Sequence, residues 1–252
     1  MLPQHVVATG GVELAGATPP PGLRWGPVKI VIDDGAYPAL DDLCDQVVTA
    51  HRHGRPVAVH CVTRVALVLA LAAWDAAGAR RGDRIEHGAV IPIELHERLA
   101  DHGLTVVTQP GFVAERGDDY LREVEADDLP FLYPCASLLR GGVPVAASTD
   151  APYTHVDPWR SIEAARTRTT IAGVVLGSGE AVPARRALDL FLGTADDPGG
   201  PPRMVVPGAP ADLCLLATPL VEALRVPLRV EVVATFVDGR PVPGGPLPLP
   251  RR

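Results

Sequence analysis

Four residues of this 252-residue chain stand where chemistry is usually built, within or at the end of apolar runs that read as strands. Lys29 interrupts Val28–Ile32, His60 ends Val57-Ala58-Val59, His87 closes Arg84-Ile85-Glu86, and Asp150 follows Val145–Thr149. In parallel βα folds the active site lies at the carboxyl ends of the strands, so polar residues that terminate such runs are the best candidates. Two histidines ending consecutive strands, 27 residues apart, could bring both imidazoles to one metal ion, and imidazole is a common zinc ligand. Asp150 offers a carboxylate able to bind metal and to accept a proton from an activated water. A lysine buried in an apolar run has a lowered pKa. Its neutral amine could form a Schiff base, or add carbon dioxide to give a carbamate whose oxygens bridge two metal ions. Each residue also has a plainer reading: a satisfied core histidine at 60 or 87, a helix or turn cap at Asp150, an exposed strand edge at Lys29. Glu86 alternates with His87, so it is expected on the opposite face, against the helix layer.

Positioning these groups requires alternating strands and helices. Val28–Ile32 reads as a strand ending at the turn signal Asp33-Asp34-Gly35. A helix over 38–53 follows, with Leu40, Leu43, Val47 and Ala50 at helical spacing. Pro56–Cys61 is the next strand, and Thr63–Ala77 an apolar helix stopped by Gly78. Further strands are expected at Arg84–Gly88, Leu104–Gln109 and Val143–Ser148, with helices over 93–102, 134–140, 161–172 and 183–192. The acidic stretch Asp118–Asp128 reads as solvated, and the segment 111–133 as one wall of the site. The starts of the five strands fall 29, 27, 20 and 39 residues apart, close to the roughly 30 residues per unit of a (β/α)8 barrel. Beyond a Gly/Pro-rich loop near 197–203, Ala211–Leu216 and Val230–Val237 read as strands of a small β layer.

Composition narrows the class. With 47% hydrophobic and 21% charged residues the chain supports a folded core. A net charge of −7 without a basic block argues against a nucleic-acid partner. The longest apolar run, Val65–Trp74, is about half of what a bilayer requires, so no membrane span is expected. Four scattered cysteines and no visible secretory signal point to a reduced, cytoplasmic protein.

The motifs V-K-x3-D-D-G (28–35), V-A-V-H-C (57–61), R-I-E-H (84–87), T-Q-P (108–110), S-T-D-A-P (148–152) and D-P-W-R (157–160), in this order, resemble the amidohydrolase superfamily of metal-dependent hydrolases. Within it they look most like the YtcJ-like branch. Pro207-Gly208-Ala209-Pro210-Ala211-Asp212 and Thr235–Arg240 resemble the segments that enter and close that superfamily's flanking β-sandwich. The resemblance spans roughly 26–242. It implies an α/β fold: a partial TIM-type (β/α)8 barrel with strands 4–8 recognisable, and a small C-terminal β-sandwich segment. The expected organisation is an irregular segment at 1–25, the partial barrel at 26–197, the sandwich segment at 198–243 and a disordered tail at 244–252.

By the same resemblance Lys29 is the carboxylated ligand after the fourth strand. His60 and His87 are ligands from the fifth and sixth strands, and Asp150 is ligand and general base from the eighth. The implied activity is hydrolysis of a non-peptide carbon–nitrogen bond in a small-molecule amide, N-acyl or N-formyl compound, with a divalent metal, zinc, as cofactor. The superfamily's His-x-His pair from the first strand has no counterpart. His51-Arg52-His53 is expected near a helix end at the surface, and His5 has no strand ahead of it. One ion is therefore expected rather than two. The first three strands are expected to be missing; the expected partners are a second copy in a homo-oligomer or another polypeptide that supplies the missing N-terminal half. A catalytically weak fragment serving as a binding chain, and a Lys29 Schiff-base lyase, are the alternative readings.

Overall fold

The computed structural model describes residues 4–242; the tail expected to be disordered at 244–252 lies outside the described residues. Strands β1 (Val6–Gly10), β2 (Leu23–Val31), β3 (Val57–Cys61), β4 (Arg84–His87), β5 (Thr105–Thr108) and β6 (Val145–Ala147) form one parallel sheet in sequential order. The sheet curls as half a barrel, and helices connect most of its strands. These are α1 (Leu40–Arg52), α2 (Arg64–Ala77), α3 (His96–Asp101), α4 (Gly111–Glu123) and α5 (Ala136–Arg140), with α6 (Pro158–Thr167) and α7 (Ala184–Asp189) after the last strand. A small antiparallel sheet joins β7 (Leu213–Leu216), β8 (Val232–Val237) and β9 (Arg240–Pro241), with the short α8 (Leu220–Ala223) between β7 and β8.

One expectation is corrected and another gains detail. Residues 1–25 are not irregular throughout: Val6–Gly10 is a strand paired in parallel with β2, which itself begins at Leu23. The sheet thus has six strands where five were legible. A five-residue strand gains its stability from a partner more than a dozen residues away, and local pattern does not show that pairing. The acidic stretch from Asp118 opens inside a helix, α4. Its Val113 and Gly117 are buried while its charges cover the outer face, the ordinary layout of an amphipathic surface helix.

Alternation organises the sheet. Val28 and Ile30 of β2, Val57, Val59 and Cys61 of β3, Ile85 of β4 and Val106 of β5 are each at most 2% exposed. They pack with Leu43 and Val47 of α1 and Leu67, Leu71 and Trp74 of α2 in one core. Burying each such side chain contributes roughly 1.5–3 kcal/mol. Helix α2 is capped by Thr63, whose side chain accepts from Ala66 N, and it ends at Gly78, where φ is +80°. Beneath the strands, buried Asp83 accepts from Val57 N, Trp74 Nε1 and Arg80 N, and pairs with His51 Nε2 at 3.0 Å. His51-Arg52-His53 thus lies at the end of α1, with His51 engaged in that structural bond.

Candidate active site

Lys29, His60, His87 and Asp150 converge on one cavity of about 710 Å³ at the carboxyl ends of the strands. Lys29 lies near the end of β2, His60 and His87 near the ends of β3 and β4, and Asp150 in the turn after β6. The His60 and His87 rings stand edge to face with centroids 4.4 Å apart, and His87 Nδ1 is 4.0 Å from Asp150 Oδ2. Among the described residues, the one His/Cys/Asp/Glu trio whose ligand atoms all fall within 4.8 Å is exposed His5, half-buried Asp212 and exposed Asp238, beside β1 and the small sheet. His60, His87 and Asp150 share the cavity without closing to that spacing.

Strand register explains most of this convergence and corrects one expectation. Val31 pairs with His60 and His60 with Glu86, while Lys29 pairs with Ala58. Lys29, His60 and Glu86 therefore lie on the same inner face, and Glu86 does not face the helices as expected. There it pairs with Arg84 Nε at 2.6 Å. His87 follows Glu86 directly and by alternation should point the other way. It reaches the cavity because its backbone is left-handed, at φ +71°, followed by Gly88 at φ +54°. For a residue with a Cβ this conformation costs roughly 1–2 kcal/mol.

Burial sets the protonation states. It pulls the His60 imidazole down to about 4, with His87 and Lys29 adding to the effect. It also lowers His87, reinforced by Lys29 and opposed by the Gln109 hydrogen bond. Burial lowers the Lys29 ammonium as well, against the opposing pull of Glu86, whose ion-pair partner is Arg84 rather than Lys29. The Asp150 carboxyl is raised by burial, with Lys29 and His60 pulling the other way. Both imidazoles are thus neutral near pH 7 and can offer lone pairs, while burial favours the uncharged form of Lys29 and of Asp150 relative to their ordinary values.

Other side chains complete the site. The segment 111–133 forms a wall as expected. Only 4% of the chain is aromatic, yet Phe112, Tyr120, Tyr133 and Tyr153 all line this cavity. Phe112 stacks on Tyr133 at 5.5 Å, and the Tyr120 and Tyr133 hydroxyls are 3.2 Å apart. Behind them, buried Arg168 donates to the Leu132, Tyr133 and Leu176 carbonyls. Gln109, beside His87, was legible only as part of the T-Q-P motif. It closes an apolar run just as His60 and His87 do, so the same strand-end criterion would have found it.

A profile of the amidohydrolase family matches residues 12–243. The chain is 28% identical over 246 residues to an N-substituted formamide deformylase of Arthrobacter pascens, covering 86% of this chain and 45% of that protein. It is 29% identical over 147 residues to the amidohydrolase YtcJ of Bacillus subtilis strain 168, covering 56% of this chain and 28% of that one. The chain therefore spans less than half the length of either relative. Among solved structures, a metal-dependent hydrolase from Pyrococcus furiosus superposes with a TM-score of 0.61 at 24% identity, over 72% of this chain and 43% of that one.

Proposed function

Because the chain belongs to the amidohydrolase family, we propose that it takes part in metal-dependent hydrolysis of a carbon–nitrogen bond other than a peptide bond, in a small N-acyl or N-formyl compound. The observation that carries this reading is the cavity itself, where two neutral imidazoles, the Lys29 side chain and a carboxylate meet at strand ends. By donor type this set suits a divalent ion, which would draw the side chains closer than they stand here. Neutral imidazole and carboxylate are the ligands zinc takes in catalytic sites, and Lys29, once carboxylated, would add an anionic oxygen. When bound, such an ion supplies Lewis-acid polarisation of the scissile carbonyl and makes a water more acidic.

The chain's own residues do the remaining work. Asp150 accepts the proton of the attacking water at its carboxylate and returns it to the leaving nitrogen. Burial raises its pKa, which brings it closer to the range where it can both take and give a proton. The aromatic wall orients the substituent of the amide and keeps bulk water away from the reacting bond. The cysteines at 44, 61, 135 and 214 are free, which supports a reducing, cytoplasmic setting. No helix among the described residues is long and apolar enough to cross a membrane.

Elemental analysis of the purified chain, combined with hydrolysis of a panel of N-acyl and N-formyl amines, tests the reading. Zinc near one equivalent and turnover are expected, and His60→Ala should lose both while keeping the circular-dichroism spectrum. Wild-type protein without metal or turnover would sink the proposal. Borohydride trapping of a substrate carbonyl on Lys29 would replace it with Schiff-base chemistry.

A further inference from the structure

Gln109 follows β5 directly and is 2% exposed. Its Oε1 lies 2.9 Å from His87 Nδ1, and its Nε2 lies 3.0 Å from both the Val107 carbonyl and the Ser148 hydroxyl. A backbone carbonyl can only accept, so the Gln109 atom that faces Val107 must be the amide nitrogen. That fixes the amide's orientation and turns its oxygen to His87. The oxygen in turn can only accept, so the imidazole must donate from Nδ1. A neutral imidazole carries a single ring proton, which leaves Nε2 with the free lone pair.

We propose that Gln109 is a positioning residue that locks His87 in its Nδ1–H form, so that Nε2 is the nitrogen offered to a divalent cation in the cavity. The same amide ties together the ends of three strands. It holds His87 at the end of β4, Val107 within β5, and Ser148 after β6, where the turn to Asp150 begins. One buried side chain thus sets both the coordinating atom of His87 and the anchor of the Asp150 turn. Metal-binding histidines almost always donate their second N–H to such an acceptor, and losing that partner typically costs 10–100-fold in metal affinity. The cation half of the proposal rests on the hydrolase reading above; the tautomer lock does not.

Two-bond 1H–15N imidazole spectra of the full 15N-labelled chain at mildly alkaline pH read the tautomer directly, with the His87 signals identified by their loss in His87→Gly. The wild type should show the Nδ1–H pattern. Gln109→Leu should populate both tautomers. Zinc affinity, measured by competition with a chromogenic chelator, should fall 10–100-fold in the Leu variant. A wild-type Nε2–H pattern, or a Leu variant with an unchanged pattern, overturns the lock. If the Leu variant fails to fold, the wild-type spectrum alone decides. Wild-type protein that shows Nδ1–H but binds no zinc keeps the lock and removes the cation half, together with the hydrolase reading.

Discussion

The two faces of β2–β4 are made from alternating residues of the same strands, yet they do different work. The outward set, Val28, Ile30, Val57, Val59, Cys61 and Ile85, is at most 2% exposed and packs under α1 and α2. The inward set is Lys29, Val31, Ala58, His60, Arg84 and Glu86. It carries the charges and imidazoles, and its Val31 is 61% exposed. Stability is therefore concentrated on one face and reactivity on the other. The chain can hold a lysine, an Arg–Glu pair and a histidine inside its curl because the opposite face supplies the apolar burial that these groups do not.

A matched pair of substitutions puts the largest strain on that contrast. Ile85→Ala on the outward face should lose about 2–5 kcal/mol of unfolding free energy, as buried isoleucines do. Val31→Ala on the inward face should stay within about 0.5 kcal/mol. Urea unfolding of both variants measures the difference, and equal losses would mean that the inner face is packed after all. A smaller effect is expected at His87, the residue that joins the two faces. Because its backbone is left-handed, His87→Gly should be about 1 kcal/mol more stable than His87→Ala, although both remove the imidazole. Equal midpoints in thermal melts would show that the positive φ carries no strain.

The smallest effect is one of pH, since His60 is only partly withdrawn from water. The folded metal-free protein holds His60 neutral down to about 4, whereas an unfolded chain protonates it near 6.5. Between these values the unfolded state binds more protons, so stability rises with pH across the window and falls on acidification through it. Wild type should lose stability between pH 6.5 and 4 more steeply than His60→Asn. Parallel curves for the two proteins would show that burial does not hold the imidazole neutral.

Legibility followed the same division between the faces. The outward face was readable because apolar alternation repeats along each strand, and strands at Val28, Val57, Arg84, Leu104 and Val143 follow from it. The convergence of Lys29, His60, His87 and Asp150 on one cavity followed from strand ends alone. Three things escaped. β1 escaped because its pairing is non-local. The position of Glu86 escaped because two-residue alternation was applied across His87, the residue that breaks it. Gln109 escaped because the strand-end criterion was applied only to charged residues and histidines, while its hydrogen bonds to Val107 and to Ser148, beyond the next strand, leave no spacing in the sequence.

The left-handed backbone at His87 changes the parity of its strand. Elsewhere, adding a residue to a β-strand moves the side chain to the far side of the sheet, so consecutive residues cannot serve the same compartment. Here one dihedral inversion lets Glu86 and His87, neighbours in the chain, both address the interior without an inserted residue or a bulge. The arrangement resists drift, because a single insertion or deletion before Glu86 would leave the inversion beneath a different side chain and send the imidazole into the helix layer.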